Sequence, residues 1–165
     1  MVSTTDKEKI RTALGAAFDK FIAAFSRFAN EEVNKLFPSS GWTPSQVASH
    51  IILGTDGVPD GKTNKSDRGY DEMLEKIRPW WEDLNQKFES PEQLRPDDKP
   101  REQSDVISEL IRVREKDLAM IDGKDLTEIC ADMELPTIGF LTRYEWLWFI
   151  EMHLKRHEFQ LRKMR

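Results

Sequence analysis

Apolar residues recur every three or four positions through four stretches of this chain, and each recurrence predicts an amphipathic helix. The first is expected to start near Thr5, because Thr5 and Glu8 have the spacing of a capping box. Ile10, Leu14, Phe18, Phe21, Phe25 and Phe28 form its inward stripe, and the pattern carries it to Leu36, before Pro38 and Gly41. The second opens at Thr43-Pro44-Ser45-Gln46, with an N-cap hydroxyl, a proline at the first helical position and a glutamine that completes the box. Val47, His50, Ile51 and Gly54 share its inner face. The third runs from Arg101 to Ile121 with Val106, Leu110, Val113 and Leu118 in its seam and Gly123 as terminator. Thr142 and Glu145 form another capping box and open the fourth, whose seam reads Trp146, Ile150, His153, His157, Leu161, Met164.

The stretches between are less regular. Gly54 to Gly69 reads as a loop from its glycines, prolines and aspartates. Tyr70 to Ser90 is helical in composition, but Pro79 should kink or split it, with Trp80, Trp81, Leu84 and Phe88 making the second part amphipathic. Pro91, Pro96 and Pro100 keep Ser90 to Pro100 irregular, and Leu126 to Leu141 is expected to hold a few extended residues around Leu135 to Ile138. Neither side of these connections can easily build a core alone, so residues 1–165 read as a single all-α domain. Its simplest form is a four-helix bundle with additional short helical segments.

Composition changes this picture little. The chain is 33% charged, yet 10% aromatic residues, five of them tryptophan, argue against disorder. A net charge of −5 gives no reason to expect a nucleic-acid partner. The basic end (Lys155, Arg156, Arg162, Lys163, Arg165) reads as a solvated last turn that suits the helix dipole. A lone cysteine, Cys130, excludes an internal disulfide and fits a reducing compartment; it is expected to be buried and inert. No secretory-type opening is present, and the longest apolar runs, such as Trp146 to Ile150, are too short to span a bilayer. A cytoplasmic protein with no membrane partner is expected.

Several motifs fail on their own chemistry. Gly61-Lys62-Thr63 resembles the end of a phosphate-binding loop, but position 56 holds Asp56 where glycine is needed. Asp56, Asp60, Gly61 and Asp67 take positions of a calcium loop, yet Val58 offers no oxygen at the third, so an acidic, solvent-exposed turn is expected. No nucleophile elbow occurs, and no carboxylate pair stands out among thirty acidic residues.

The histidines remain. His153 and His157 are four residues apart, so a helix stacks them on one face, and His50 lies on the inner face of another predicted helix. Burying three neutral imidazoles together demands several hydrogen-bond partners at once, whereas one shared cation answers all three. Three histidines also leave a divalent ion an open position for chemistry. Glu151, Glu158 and Asp56 are candidates to orient an imidazole, and the pocket is expected beside the ion, walled by helix termini and the 54–69 loop. The competing reading is a non-catalytic bundle whose histidines bond to one another or to backbone carbonyls.

Gly41-Trp42-Thr43-Pro44-Ser45-Gln46-Val47-Ala48-Ser49-His50-Ile51 resembles the second-helix signature of the DinB-like (DinB/YfiT) superfamily. Leu141 to Glu145, followed by His153-Leu154-Lys155-Arg156-His157-Glu158-Phe159-Gln160-Leu161, is similar to its fourth helix. The family's histidine pattern falls on His50, His153 and His157 with none missing, and the resemblance covers essentially the whole chain. It implies a four-helix bundle of uncommon helix order and a divalent ion, zinc or nickel, on those three residues. It further implies a metal-dependent enzyme: a thiol-dependent transferase using a low-molecular-weight thiol, an isomerase or a hydrolase. A monomer or homodimer acting on a small molecule is expected.

Overall fold

The hydroxyl caps read from the sequence are in place at two helices. Thr43 Oγ1 accepts from Gln46 N–H at 3.1 Å while Gln46 Oε1 accepts from Thr43 N–H at 2.9 Å. Thr142 and Glu145 make the same reciprocal pair at 3.1 and 2.8 Å. The computed structural model describes residues 1–164 and is mostly helical. Its helices are α1 (Thr4–Ser26), α2 (Pro44–Thr55), α3 (Leu74–Trp81), α4 (Gln103–Gly123) and α5 (Arg143–Arg162). Two-residue strands β1 (Thr63–Asn64) and β2 (Ile129–Cys130) pair antiparallel, and a single 3₁₀ turn covers Glu92–Leu94. Arg165, counted above in the basic end, lies outside the described residues. No helix among the described residues is long and apolar enough to cross a membrane.

α1 departs from expectation at both ends. Ser3, not Thr5, is its N-cap, accepting from Asp6 N–H at 3.1 Å. The helix stops at Ser26, well short of Leu36, because the following residues are claimed by tertiary partners. Phe28 turns edge-on to Phe37 (centroids 5.6 Å apart), Val33 is fully buried, and its carbonyl accepts from Ser45 N–H at 2.8 Å. The Asn34 amide exchanges two hydrogen bonds with the backbone of Arg101, both 2.9 Å.

α3 is shorter than the composition of Tyr70–Ser90 suggests. Pro79 lies inside it and supplies no N–H to the preceding turn, and the helix ends two residues later. The anticipated apolar stripe therefore does not form: Trp80 is 57% exposed, while Trp81 turns inward onto Phe149 with centroids 4.7 Å apart. Extended structure appears at β1 and β2, and Leu135 to Gly139 is instead a tight turn closed by Leu135 N–H to Gly139 O and the reverse bond, each 2.9 Å.

α1 packs against α4 and α5, α2 packs against the same two helices, and α3 lies on α5. The first two long helices, although consecutive, thus face each other diagonally across the other two. Phe18, Phe21 and Phe25 of α1, Ile51 of α2, Leu110 and Ile121 of α4 and Leu147 of α5 are fully buried in one apolar cluster. Of the aspartates in the 54–69 loop, Asp67 is exposed as expected, while Asp56 and Asp60 are tied to cations of other elements. Asp56 pairs with Lys116 at 2.8 Å and Arg112 at 3.2 Å, and Asp60 pairs with Lys124 and Arg143, each at 2.7 Å.

Two buried carboxyl groups hold this arrangement. Glu145, inaccessible to solvent, accepts from Arg68 in a two-pronged pair at 2.7 and 2.9 Å and from Met73 N–H at 2.6 Å, which ties the start of α5 to the entry of α3. Replacing it by alanine leaves the Arg68 guanidinium without its counter-ion, held only by the carbonyls of Gly69 and Phe140, and two backbone donors without partners. Glu145→Ala should lower unfolding stability by about 3 kcal/mol, read from urea denaturation. Asp117 of α4 is the other. Its Oδ1 accepts from Gly57 N–H at 3.0 Å, its Oδ2 has no partner, and burial pushes the carboxyl up to about 7. A carboxyl whose folded pKa lies above its unfolded value stabilises the fold when protonated, and that contribution is lost as pH rises through the folded value. The stability difference between Asp117→Asn and the wild type should therefore move in the variant's favour between about pH 4 and about pH 7 and level off above, followed by urea midpoints.

Candidate metal centre

His50 sits in the second turn of α2, where the Thr43 cap and Pro44 set the register, and His153 and His157 occupy successive turns in the second half of α5. The three rings form a nearly equilateral triangle. Their centroids are 4.9 Å apart for His50 and His153, 4.6 Å for His50 and His157, and 4.8 Å for His153 and His157. One nitrogen from each ring lies within 4.8 Å of the other two, close enough for the three histidines to hold a metal ion. His50 and His153 are 3% and 5% exposed, and His157 is half-buried.

The hydrogen bonds at the rim decide which nitrogens face the centre. His50 Nδ1 is 2.8 Å from the carbonyl of Leu94, which can only accept, so that nitrogen carries the proton and Nε2 is bare. His157 Nδ1 donates to Gln160 Oε1 at 2.7 Å, leaving its Nε2 bare as well. His153 Nε2 lies 2.9 Å from His50 Nε2, and His153 Nδ1 is buried without a partner. Burial pushes all three imidazoles below their ordinary pKa, His157 to about 3, and each lies beside another imidazole rather than an acid. Three neutral rings carry three bare nitrogens, and the one remaining N–H, that of His153, can serve only one of them. A cation serves all three, so the donor set fits a divalent ion.

The surroundings differ from those anticipated. Glu151 pairs with Lys155 at 2.5 Å, Glu158 with Arg162 at 2.9 Å, and Asp56 with cations of α4. No carboxylate joins the histidine cluster among the described residues. The orienting groups are a backbone carbonyl and an amide. Gln160, one turn after His157, was open to detection by helix spacing. The Leu94 carbonyl carries no side-chain signal and was not. Of the 54–69 stretch, Gly54, still within α2, faces His153, whereas Asp60 is bound to Arg143, ten residues or about 15 Å along α5 from His153. Aromatic rings wall the site: Trp42 is 5.1 Å from His50, and Trp81 and Phe149 are 5.8 and 6.1 Å from His153. Arg156, read as part of a solvated basic end, is half-buried instead and hydrogen-bonds the carbonyls of Trp81 and Asp83 at 3.2 and 2.9 Å. Cys130 is buried as expected, its thiol pushed up to about 12, chiefly by burial.

No family model, curated protein or solved structure matches the chain significantly. The centre therefore rests on its own geometry.

Gly54 leaves room for it. A methyl group there would come within 3.0 Å of His153 Cε1. Alanine favours a helix by up to about 1 kcal/mol over glycine, which offsets part of the crowding. Gly54→Ala should thus leave helical content intact, while zinc affinity, measured by competition with a chromogenic chelator, falls about tenfold as His153 is displaced.

Proposed function

We propose that this chain is a DinB-like metal-dependent enzyme in which His50, His153 and His157 hold a zinc or nickel ion and which acts as a thiol-dependent transferase or as a hydrolase. The carrying observation is the shortage of protons at the centre: Nε2 of His50 and Nε2 of His157 are both bare, and the buried His153, 2.9 Å from His50, has one N–H to offer between them. The diagonal placement of α1 and α2 supports the bundle of uncommon helix order that the resemblance implies. An ion held there supplies Lewis-acid activation of a water or thiol nucleophile.

The remaining roles belong to the chain itself. Leu94 O and Gln160 Oε1 fix the tautomers of His50 and His157, so their Nε2 lone pairs face inward without reorganisation. Burial keeps the rings unprotonated across the neutral range, which a ligand set requires. Trp42, Trp81 and Phe149 exclude water and offer an apolar wall to a small substrate.

A non-catalytic bundle is the second reading, and the direct His50–His153 hydrogen bond at 2.9 Å favours it, since that bond needs no ion. Metal analysis of untagged protein separates the two. The expected result is about one equivalent of zinc or nickel, lost in His153→Ala. A protein that takes up neither ion on reconstitution, and whose melting temperature neither ion changes, has no such site. Catalysis is read separately, by conjugation of small thiols to electrophiles and by ester hydrolysis, with and without the ion. Metal uptake with no turnover over a broad panel would favour a binding module.

A further inference from the structure

The segment from Glu82 to Pro100 crosses the histidine cluster without contributing a single buried side chain. Apart from the 3₁₀ turn at Glu92–Leu94 it has no regular structure. Its attachments are few and nearly all run through its own backbone. At the α3 end, Arg156 hydrogen-bonds the carbonyls of Trp81, Asp83 and Gln86, and its guanidinium lies over the rings of Trp81 and Phe88, 5.0 and 4.8 Å from their centroids. In the middle, Leu94 O accepts from His50, and the Leu94 side chain reaches towards Gly54. Further on, the Gln46 amide donates to Asp97 O at 3.2 Å. Beyond Pro100 the chain is fixed again, with Arg101 bound to Asn34, Ser49 and Glu109.

A segment with no buried apolar anchor opens at low free energy, and active-site covers are drawn from such segments. Pro91, Pro96 and Pro100 restrict its backbone, so it moves in stiff pieces rather than as loose coil. Two of the three histidines it crosses are almost fully buried, so a ligand reaches them only after some element moves. The cluster's other neighbours are helices packed into the core, apart from Trp42, which stands half-buried just ahead of the α2 cap.

We propose that Glu82–Pro100 is a strap that gates the histidine centre, clasped by Arg156 and coupled to metal occupancy through the Leu94–His50 hydrogen bond. The inference rests on the metal-centre reading for its coupling and on the strap's own attachments for its clasp. With the strap closed, Leu94 O holds His50 Nδ1–H and points Nε2 at the ion. With it open, His50 loses that acceptor and its fixed tautomer. An ion that prefers the oriented imidazole therefore favours closure, and closure strengthens the hold on the ion by the same factor. Arg156 acts here as a positioning residue on the same helix as His153 and His157.

Arg156→Met tests this, because methionine keeps apolar contact with Trp81 and Phe88 while removing every donor. Amide hydrogen exchange is followed in wild type and variant, without metal and with one equivalent of zinc, together with zinc release to a chromogenic chelator. Zinc should slow exchange within residues 83–97 of the wild type by about tenfold, and the variant should keep fast exchange there. The variant should still bind one equivalent but release it at least about tenfold faster, with Arg156→Lys in between. Equal release rates and equal exchange in wild type and Arg156→Met would overturn the gate. If the wild type binds no zinc, the metal-centre reading fails, and the metal-free comparison then decides the clasp. Faster exchange confined to 83–97 in the variant supports it, and unchanged exchange overturns it. Should Arg156→Met lose helical content, Gln46→Glu, which keeps an acceptor for Thr43 N–H while removing the amide donor to Asp97 O, replaces it with the same readouts.

Discussion

Six imidazole nitrogens share one interior, and the need to place their protons and lone pairs organises what surrounds them. A buried polar atom without a partner is unfavourable by one to a few kcal/mol, about the scale on which a single mutation unfolds a small domain. His50 is served by a carbonyl that arrives from a distant part of the chain, which requires residues 82–100 to run across α2. His157 is served by Gln160 one turn along its own helix. His153 has room only because residue 54, facing it from α2, has no side chain. The route of the strap, the glycine in α2 and the glutamine in α5 are three answers to one requirement.

Position matters as much as chemistry, and it is set at the helix starts. Both histidine-bearing helices begin on complete capping boxes, whereas α3 and α4 have no side-chain cap. A capping box fixes the first turn, and every later residue follows at 100° and 1.5 Å per step. The pair Glu145–Arg68 then anchors the α5 cap to the loop before α3, so the phase of His153 and His157 is held from outside the helix as well. The register of the histidine cluster is thus determined about two to four turns away from it.

What could be read in the sequence follows the same division. Capping boxes and apolar stripes are local, so α2, α4 and α5 were legible within a residue or two, and the convergence of His50, His153 and His157 followed from their phase. The premature end of α1 was not legible. Residues after Ser26 have helical propensity, but Asn34 and Val33 bond to residues of later segments, and such partners leave no trace in local pattern. The collapse of the stripe after Pro79 and the backbone carbonyl on His50 are of the same kind. Acidic residues misled for a related reason: Glu151 and Glu158 stand close to the histidines in sequence, yet a helix turns them towards Lys155 and Arg162. Sequence proximity to a ligand says little about contact with it, while helical phase says a great deal.

Cys130 sits in β2 under the loop that Asp60 ties down, fully buried and protonated at neutral pH. It is the chain's single sulfhydryl. Thiol–disulfide exchange proceeds through the thiolate and needs access to it, and both are withheld here. A protein built this way can work amid small thiols and their oxidised forms without being captured by them as a mixed disulfide. Swings in the redox poise of its surroundings would then leave its own covalent structure untouched.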